Sequence, residues 1–166
     1  MPMKTNSTVA RGNVYFEARL RAAARDYRYN SRESASDMIY VHERTLADYE
    51  RGVTIPPPDV VIRMADMYGA PELLNHYCAH ECPAGRGRVK PVQELTPPHI
   101  ATRLRVAASD LSGILRDLDL ISMDGQIQPE EMPTLMAATR ELAALKMAIE
   151  ELELMAAKLN GKEVTE

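Results

Sequence analysis

The chain has 166 residues, of which 45% are hydrophobic and 27% are charged, and its net charge at pH 7 is −4. No apolar run approaches the roughly 18 residues that a membrane-spanning helix needs, and the polar residues 1–12 contain no apolar signal region. These properties exclude an integral membrane protein, and they predict a cytoplasmic protein of one or two small domains.

The charge is divided unevenly along the chain. Residues 1–91 contain 13 Lys and Arg against 11 Asp and Glu, whereas residues 92–166 contain 7 against 13. The first half therefore carries +2 and the second −6. Contacts with phosphates need local positive charge rather than a basic whole chain, so DNA binding is expected in the first half. Its densest basic group is Arg11, Arg19, Arg21, Arg25, Arg28 and Arg32.

The first predicted element is a helix that begins after Asn13. The preceding residues, 1–12, are polar and are predicted to be disordered. Asn13 is a good N-cap, and the helix is expected to run for about 14 residues. The side chains predicted to face the core from it are Val14, Phe16, Ala18, Leu20 and Ala24.

Residues 31–52 then have the layout of a helix-turn-helix. Ser31 can cap a short helix, and Glu33 places a negative charge in its first turn, where the helix dipole favours it. Ala35, Met38 and Ile39 recur at helical spacing and predict one apolar face. Tyr40 and Val41 form the predicted corner.

The second helix of this motif is the predicted reading element. His42 or Thr45 begins it, Leu46 and Tyr49 are predicted to point into the core, and Gly52 ends it as a cap. A helix presented in this way fits the major groove of DNA. The side chains left exposed on it are His42, Glu43, Arg44, Ala47 and Asp48.

This stretch resembles the Cro/CI-type (xenobiotic response element, XRE) helix-turn-helix regulators. The residues in register with the family pattern are Glu33, Ile39, Val41, Thr45, Leu46, Tyr49, Glu50 and Gly52. Three positions depart from it: Tyr40 replaces the usual Gly, Arg32 the usual Gln, and Ser36 the inward Ala. The resemblance implies a five-helix, lambda-repressor-like DNA-binding domain, and it covers somewhat under half of the chain. The residues predicted to contact DNA are Arg32, His42, Glu43, Arg44, Thr45, Asp48 and Arg51.

Two further helices complete the predicted domain. Thr54 to Pro58 is a stiff, proline-rich connector that no helix can cross. The helix opened by Pro58 is predicted to bury Val60, Val61, Met64, Ala65 and Tyr68. A short helix is expected from near Pro71 through Leu73, Leu74 and Tyr77. The predicted domain therefore spans residues 13–83, and residues 84–98, rich in Gly and Pro, form the predicted linker.

The remaining residues, 99–161, predict a coiled-coil-like helical hairpin, with arms of about 22 and 30 residues joined at Ser122 to Gly125. The first apolar stripe is Ile100, Leu104, Ala107, Leu111, Ile114, Leu118 and Ile121. The second is Leu135, Ala138, Leu142, Leu145, Ile149, Leu152, Ala156 and Leu159. Because two helices alone cannot bury both stripes, a second subunit is expected to complete a four-helix bundle. Packing of the hairpin onto the N-terminal domain is the alternative.

His76, Cys78, His80 and Cys82 are the closest-spaced potential metal ligands. On an α-helix the His pair and the Cys pair lie on faces roughly 200° apart, so one ion could not collect all four unless the helix breaks near Ala79. We predict no cofactor and structural cysteines in a reducing compartment, with a zinc site as the alternative.

No P-loop, dinucleotide-binding fingerprint, nucleophile elbow or HExxH motif occurs, so an enzyme is not predicted. The predicted function is that of a sequence-specific DNA-binding transcriptional regulator, a repressor that binds double-stranded DNA as a homodimer through the C-terminal hairpin. The alternative is a protein-interaction module, antitoxin-like or scaffold, built on an XRE-like domain with weak DNA affinity. Glu43 and Asp48 favour the alternative because they oppose phosphate, whereas Arg32 and Arg44 favour the regulator.

Overall fold

The computed structural model describes residues 12–163. All regular structure in this part of the chain is helical, which confirms the predicted all-α class. It divides into two compact units: the first consists of the residues up to Pro91 together with residues 160–163, and the second spans Val92–Leu159. The prediction of a disordered N-terminus falls, except for Gly12, outside the described residues. Within the described helices, none is long and apolar enough to cross a membrane.

The first unit is built from short helices around one apolar core. In chain order these are α1 (Val14–Ala23), a 3-10 turn (Tyr27–Tyr29), α2 (Arg32–Met38), α3 (Glu43–Glu50), α4 (Pro58–Tyr68), α5 (Glu72–His76) and a π-helical turn (Tyr77–Glu81). Each of the five α-helices contributes buried apolar side chains to the same cluster. The unit therefore has the five-helix core that the sequence predicts.

Helix α1 begins where it is predicted to begin but buries a different face. The Asn13 side chain accepts hydrogen bonds from the backbone N–H groups of Tyr15 and Phe16, at 3.0 and 3.2 Å. Of the predicted inward set, Ala18 is buried and Val14 is partly buried against the core. The other three residues do not belong to the core cluster, because the set followed mainly a spacing of two, which is the period of a strand. The residues buried from α1 keep helical spacing and are Tyr15, Ala18, Arg19 and Ala22. The helix is also shorter than predicted, at 10 residues.

Helix α4 confirms its prediction. Pro58 is its first residue, and Gly69 follows it with φ +55°, the left-handed conformation that ends many helices. The next helix is less regular than predicted, because α5 ends at His76 and the chain continues as a π-helical turn. The residues buried from α4 are Val60, Val61, Met64, Ala65 and Tyr68, as predicted.

The second unit contains α6 (Pro97–Ala107), α7 (Leu111–Ser122) and most of α8 (Met132–Glu163). The prediction of one continuous first arm was wrong, because Asp110 leaves the helical conformation with φ −117° and ψ 24°. Its carboxylate lies over Gly113, where a Cβ would collide with it. The predicted turn contains Gly125 at φ +76°, and its N–H donates to the carbonyl of Ser122 at 3.0 Å.

The apolar stripe predicted for α8 is buried only along its first half. Ala138 is buried, and Leu142 and Leu145 are half-buried, but Ile149 and Leu152 are 42% and 39% exposed. A repeat of 3.5 residues drifts by about 20° per heptad on a straight α-helix, so the stripe rotates by roughly 70° between Leu135 and Leu159. Ala148 and Glu151 are buried in the second half instead.

Candidate nucleic-acid interface

Helix α2 is capped at its first turn by Ser31, and the polar side chain on its inner side, Ser36, has a hydrogen-bond partner. The Ser31 Oγ accepts a hydrogen bond from the backbone N–H of Ser34 at 3.1 Å, which is the predicted cap. Ser36 is buried, and its Oγ donates to the carbonyl of Glu33 at 2.7 Å. The hydroxyl at the position where the family pattern has Ala therefore finds a partner within its own helix.

The corner between α2 and α3 has a left-handed backbone conformation that favours glycine, although the residue there is Tyr40. Tyr40 has φ +56°, and no other non-glycine residue in the described part of the chain has a positive φ. The N–H of Val41 donates to the carbonyl of Ser36 at 3.0 Å and closes the turn. The Tyr40 side chain is 79% exposed. The departure from the family pattern therefore changes the surface of the corner and leaves its backbone conformation intact.

Helix α3 begins at Glu43, directly after its N-cap His42, rather than at Thr45. The Nδ1 of His42 accepts a hydrogen bond from the backbone N–H of Arg44 at 3.2 Å, so the imidazole is the N-cap. Leu46 and Tyr49 are buried, as predicted. The helix ends at Glu50, with Arg51 as its C-cap and Gly52 following at φ +70°.

The outward face of α3 carries one arginine without an ion-pair partner. His42, Glu43 and Arg44 are exposed, and Thr45, Ala47 and Asp48 are half-exposed. The Asp48 carboxylate forms an ion pair with Arg51, so part of its opposition to phosphate is neutralised. Arg44 forms no ion pair with any residue that the structure describes.

Arg32, a predicted DNA contact, is engaged inside the domain. Its Nε donates to the Oε2 of Glu50 at 2.6 Å, and about a quarter of its side chain remains exposed. Glu50 is fully buried and also accepts from Arg19, whose Nη2 lies 3.1 Å from Oε2. Arg19 in turn donates to the carbonyl of Tyr29 at 2.8 Å. One carboxylate thus joins α1, α2 and α3, a network that sequence reasoning did not predict.

Most arginines of the basic group in the first half of the chain form hydrogen bonds or ion pairs within the domain. The Nη2 atoms of Arg21 and Arg28 lie 2.6 and 2.7 Å from the carboxylate oxygens of Glu72 and Asp26, respectively. Arg25 donates to the carbonyl of Tyr68. Arg63 donates to the carbonyl of Ile39 and pairs with Asp59, at 2.9 and 3.0 Å. Arg11 lies outside the described residues. Charge counting cannot separate Arg21 and Arg25 from Arg44, because their acceptors lie 51 and 43 positions away in the sequence.

The first turn of α1 connects the end of α3 with the π-helical turn. The Nδ2 of Asn13 donates to the carbonyl of Tyr49 at 3.1 Å. Two residues later, the phenol of Tyr15 donates to the Oε2 of Glu81 at 2.6 Å. Burial, and secondarily the Glu81 carboxylate, raise the pKa of Tyr15, so the phenol stays a donor.

The predicted Cys/His cluster lies on α5 and the π-helical turn. The rings of His76 and His80 are 4.7 Å apart between centroids, and the His76 Nε2 lies 3.7 Å from the Oε1 of Glu81. Burial lowers the pKa of His76. Cys78 and Cys82 are free thiols. In the portion of the chain that the structure describes, no three His, Cys, Asp or Glu side chains converge to hold a metal ion, so the zinc hypothesis stays a prediction.

A protein-family model described as "Helix-turn-helix" matches residues 22–74. The matched segment contains α2, the corner at Tyr40, α3 and α4. No curated protein and no solved structure matches the chain. The α2–α3 pair, in which α3 carries the exposed side chains, lies inside the matched segment.

Proposed function

Because residues 22–74 form a Cro/CI-type (XRE-family) helix-turn-helix domain of a DNA-binding regulator, we propose that the chain is a transcriptional repressor that reads DNA as a homodimer. Helix α3 enters the major groove in this proposal. The observation that carries it is the exposed Arg44 on α3, whose guanidinium has no ion-pair partner within the described residues. A guanidinium in that position can donate two hydrogen bonds to guanine, one to O6 and one to N7.

The neighbours of Arg44 define what else α3 can read. Glu43 is exposed beside it and can accept a hydrogen bond from the N4 amino group of cytosine. Asp48 is less available, because its carboxylate pairs with Arg51. The exposed face of α3 therefore combines the two donors of the Arg44 guanidinium with the acceptor carboxylate of Glu43. This combination favours G·C pairs over A·T pairs in the half-site.

Glu50 supports this reading by fixing the helices that carry α3. Its carboxylate accepts from Arg19 on α1 and from Arg32 on α2 while it closes α3. Arg32 uses only its Nε in this contact. About a quarter of the Arg32 side chain is exposed, and its terminal amino groups can contact a phosphate in this proposal while the Nε stays on Glu50.

Support for a homodimer comes from the exposed apolar surface of the second unit. On α8, Ile149, Leu152 and Leu159 are exposed along one stripe, and Leu159 reaches 54%. Exposed apolar patches of this kind mark interaction surfaces. A second copy could cover the stripe by supercoiling with it, since a 3.5-residue repeat is what two wound helices share. Two N-terminal units held in this way would read half-sites about one helical turn apart.

The second candidate function is a protein-interaction module. Residues 1–91 contain 13 basic and 11 acidic residues, so their net charge is only +2. A domain with so little net positive charge gains little from phosphate attraction and would bind DNA weakly. Glu43 at the exposed end of α3 favours this candidate further.

Selection of duplexes from a random-sequence pool by the full chain separates the two candidates. We expect enrichment of one sequence and a gel shift with it, including on fragments from the promoter region of its own gene. The matched variants are Arg44→Ala on α3 and Arg116→Ala, another exposed arginine, on α7. Loss of the shift with Arg44→Ala alone supports the repressor. A folded chain that enriches no sequence supports the interaction module.

A further inference from the structure

The unpaired positive charge of the first unit is concentrated in one short segment after the helices. Residues 12–82 contain 8 arginines and 11 acidic residues, a net charge of −3. Residues 83–91 contain Arg86, Arg88 and Lys90 with no acidic residue, a net charge of +3. Seven of the 8 arginines within residues 12–82 donate to acidic side chains or backbone carbonyls, and Arg44 is the exception. We call residues 83–91 the basic turn segment.

The basic turn segment is folded onto its own unit. The N–H groups of Arg86 and Arg88 donate to the carbonyls of Cys82 and Gly85, at 2.9 and 2.8 Å. At the other end, the Nδ2 of Asn75 on α5 donates to the carbonyl of Lys90 at 3.1 Å. A Cβ at Gly85 would collide with the carbonyl of Cys78, so the close approach of the segment to the π-helical turn requires glycine. The backbone therefore has few ways to move while it presents its side chains.

The three cations of this segment are exposed and unpaired. Arg86, Arg88 and Lys90 all lie at the surface, and none forms an ion pair within residues 12–163. The acidic residues nearest to them in sequence are Glu81 and Glu94. Glu81 already accepts from the phenol of Tyr15 at 2.6 Å, and Glu94 pairs with Lys158 at 2.5 Å. Nothing in the described unit therefore competes with an external anion for these three groups.

The segment is connected to the reading helix through two consecutive contacts. Asn13 donates to the carbonyl of Tyr49 near the end of α3, and Tyr15 donates to Glu81, which directly precedes Cys82. Both contacts start from the first turn of α1. The end of α3 and Glu81, two residues before the segment, are thus held by the same helical turn.

We propose that Arg86, Arg88 and Lys90 bind the phosphate backbone of the duplex that α3 reads. This inference rests on the proposed function and adds a second, sequence-independent contact to it. The three groups supply the local positive charge that the rest of the unit lacks. Their backbone is fixed before binding, so binding phosphates costs little further conformational freedom. The segment anchors the domain on DNA, whereas Arg44 on α3 selects the bases.

The test compares two triple variants of the full chain that remove the same charge. The first is Arg86→Gln, Arg88→Gln and Lys90→Gln. The matched control is Arg105→Gln, Arg116→Gln and Arg140→Gln, which removes three exposed arginines from the second unit. The probe is a 30-base-pair duplex of arbitrary sequence, titrated by fluorescence anisotropy between 50 and 200 mM NaCl. Circular dichroism and light scattering verify that helix content and oligomeric state match the parent chain.

We expect the first triple variant to lower the slope of log K against log salt by about 0.9 for each phosphate that the segment no longer neutralises. If three phosphates are involved, the change in affinity between the two salt concentrations becomes smaller by roughly 40-fold. The control variant should keep the parent slope.

Equal slopes for the parent and the first variant overturn this inference while leaving the proposed function standing. An equal fall in both variants also overturns it, because net charge alone then explains the effect. If the parent binds neither this duplex nor a selected one, the proposed function fails, and the inference fails with it. An unchanged base preference in the first variant, on a selected duplex, supports the division of roles between the segment and α3.

Discussion

Arg19 of α1 and Glu50 of α3 form a buried ion pair in which the guanidinium donates to both carboxylate oxygens. Glu50 has no exposed surface, and Arg19 is 3% exposed. Arg32 donates to the same carboxylate from α2. The angle between the two helices of the motif therefore depends on a charged group that lies entirely inside the domain, at the inner end of the helix that we propose reads DNA.

Replacing Glu50 should destabilise the domain strongly. Glu50→Gln leaves the Arg19 charge buried without a counter-charge, and breaking a buried pair in this way costs about 3–5 kcal/mol. Urea unfolding followed by circular dichroism measures the change. The control is Asp48→Asn, which removes the partly exposed partner of Arg51 and should cost less than about 1 kcal/mol. Similar destabilisation in the two variants would contradict the importance of the buried pair.

Tyr40 should be replaceable by glycine with a gain in stability. Its φ of +56° is left-handed, which costs an ordinary residue roughly 1–2 kcal/mol, and its exposed ring contributes little packing. The greater freedom of glycine in the unfolded chain offsets part of this gain. Thermal unfolding should therefore show a modestly higher midpoint for Tyr40→Gly. Tyr40→Val, which places a β-branched residue in the same conformation, should lower the midpoint.

Arg44→Ala should weaken binding to the selected duplex by about 1–3 kcal/mol, which is the usual value of one bidentate base contact. The preference at a single base position should relax, while affinity for arbitrary DNA changes far less. Anisotropy titrations with all four bases at each position of the half-site measure this. Uniform weakening across every sequence would assign Arg44 to phosphate contact instead.

Ile149→Glu should dissociate the proposed homodimer without unfolding the chain. Ile149 is 42% exposed, so a charge there is tolerated by the single chain but would be buried without a partner in a dimer. Light scattering should show a smaller particle, and DNA affinity should fall because bivalent binding is no longer possible. The control is Val106→Glu on α6, which is 69% exposed and lies outside both predicted stripes. An Ile149→Glu variant that stays dimeric places the interface elsewhere.

Residues 1–91 should fold without the second unit. Their core draws its buried side chains from α1, the 3-10 turn and α2 to α5, all of which lie in this fragment. We expect helical circular dichroism with cooperative thermal unfolding, a monomeric mass, and weaker DNA binding than that of the full chain. A fragment that remains dimeric in sedimentation would contradict the proposed role of α8.

The sequence by itself determined the features that depend on neighbouring residues. Asn13 and Ser31 are N-caps because each side chain reaches a backbone N–H two or three positions away, and α4 buries the face that its periodicity predicts. Family register likewise located α2, the corner and α3. These signals act over one or two helical turns, so they can be recognised without knowing the fold.

Only the tertiary structure decided which arginines form ion pairs and which part of the apolar stripe of α8 is buried. Arg19 and Glu50 are 31 positions apart, and nothing local distinguishes Arg32, which pairs with Glu50, from Arg44, which does not. The rotation of the α8 stripe also depends on whether the helix is straight or supercoiled around a partner. Ion pairing and burial are set by distances between remote residues, and those distances exist only once the helices have packed.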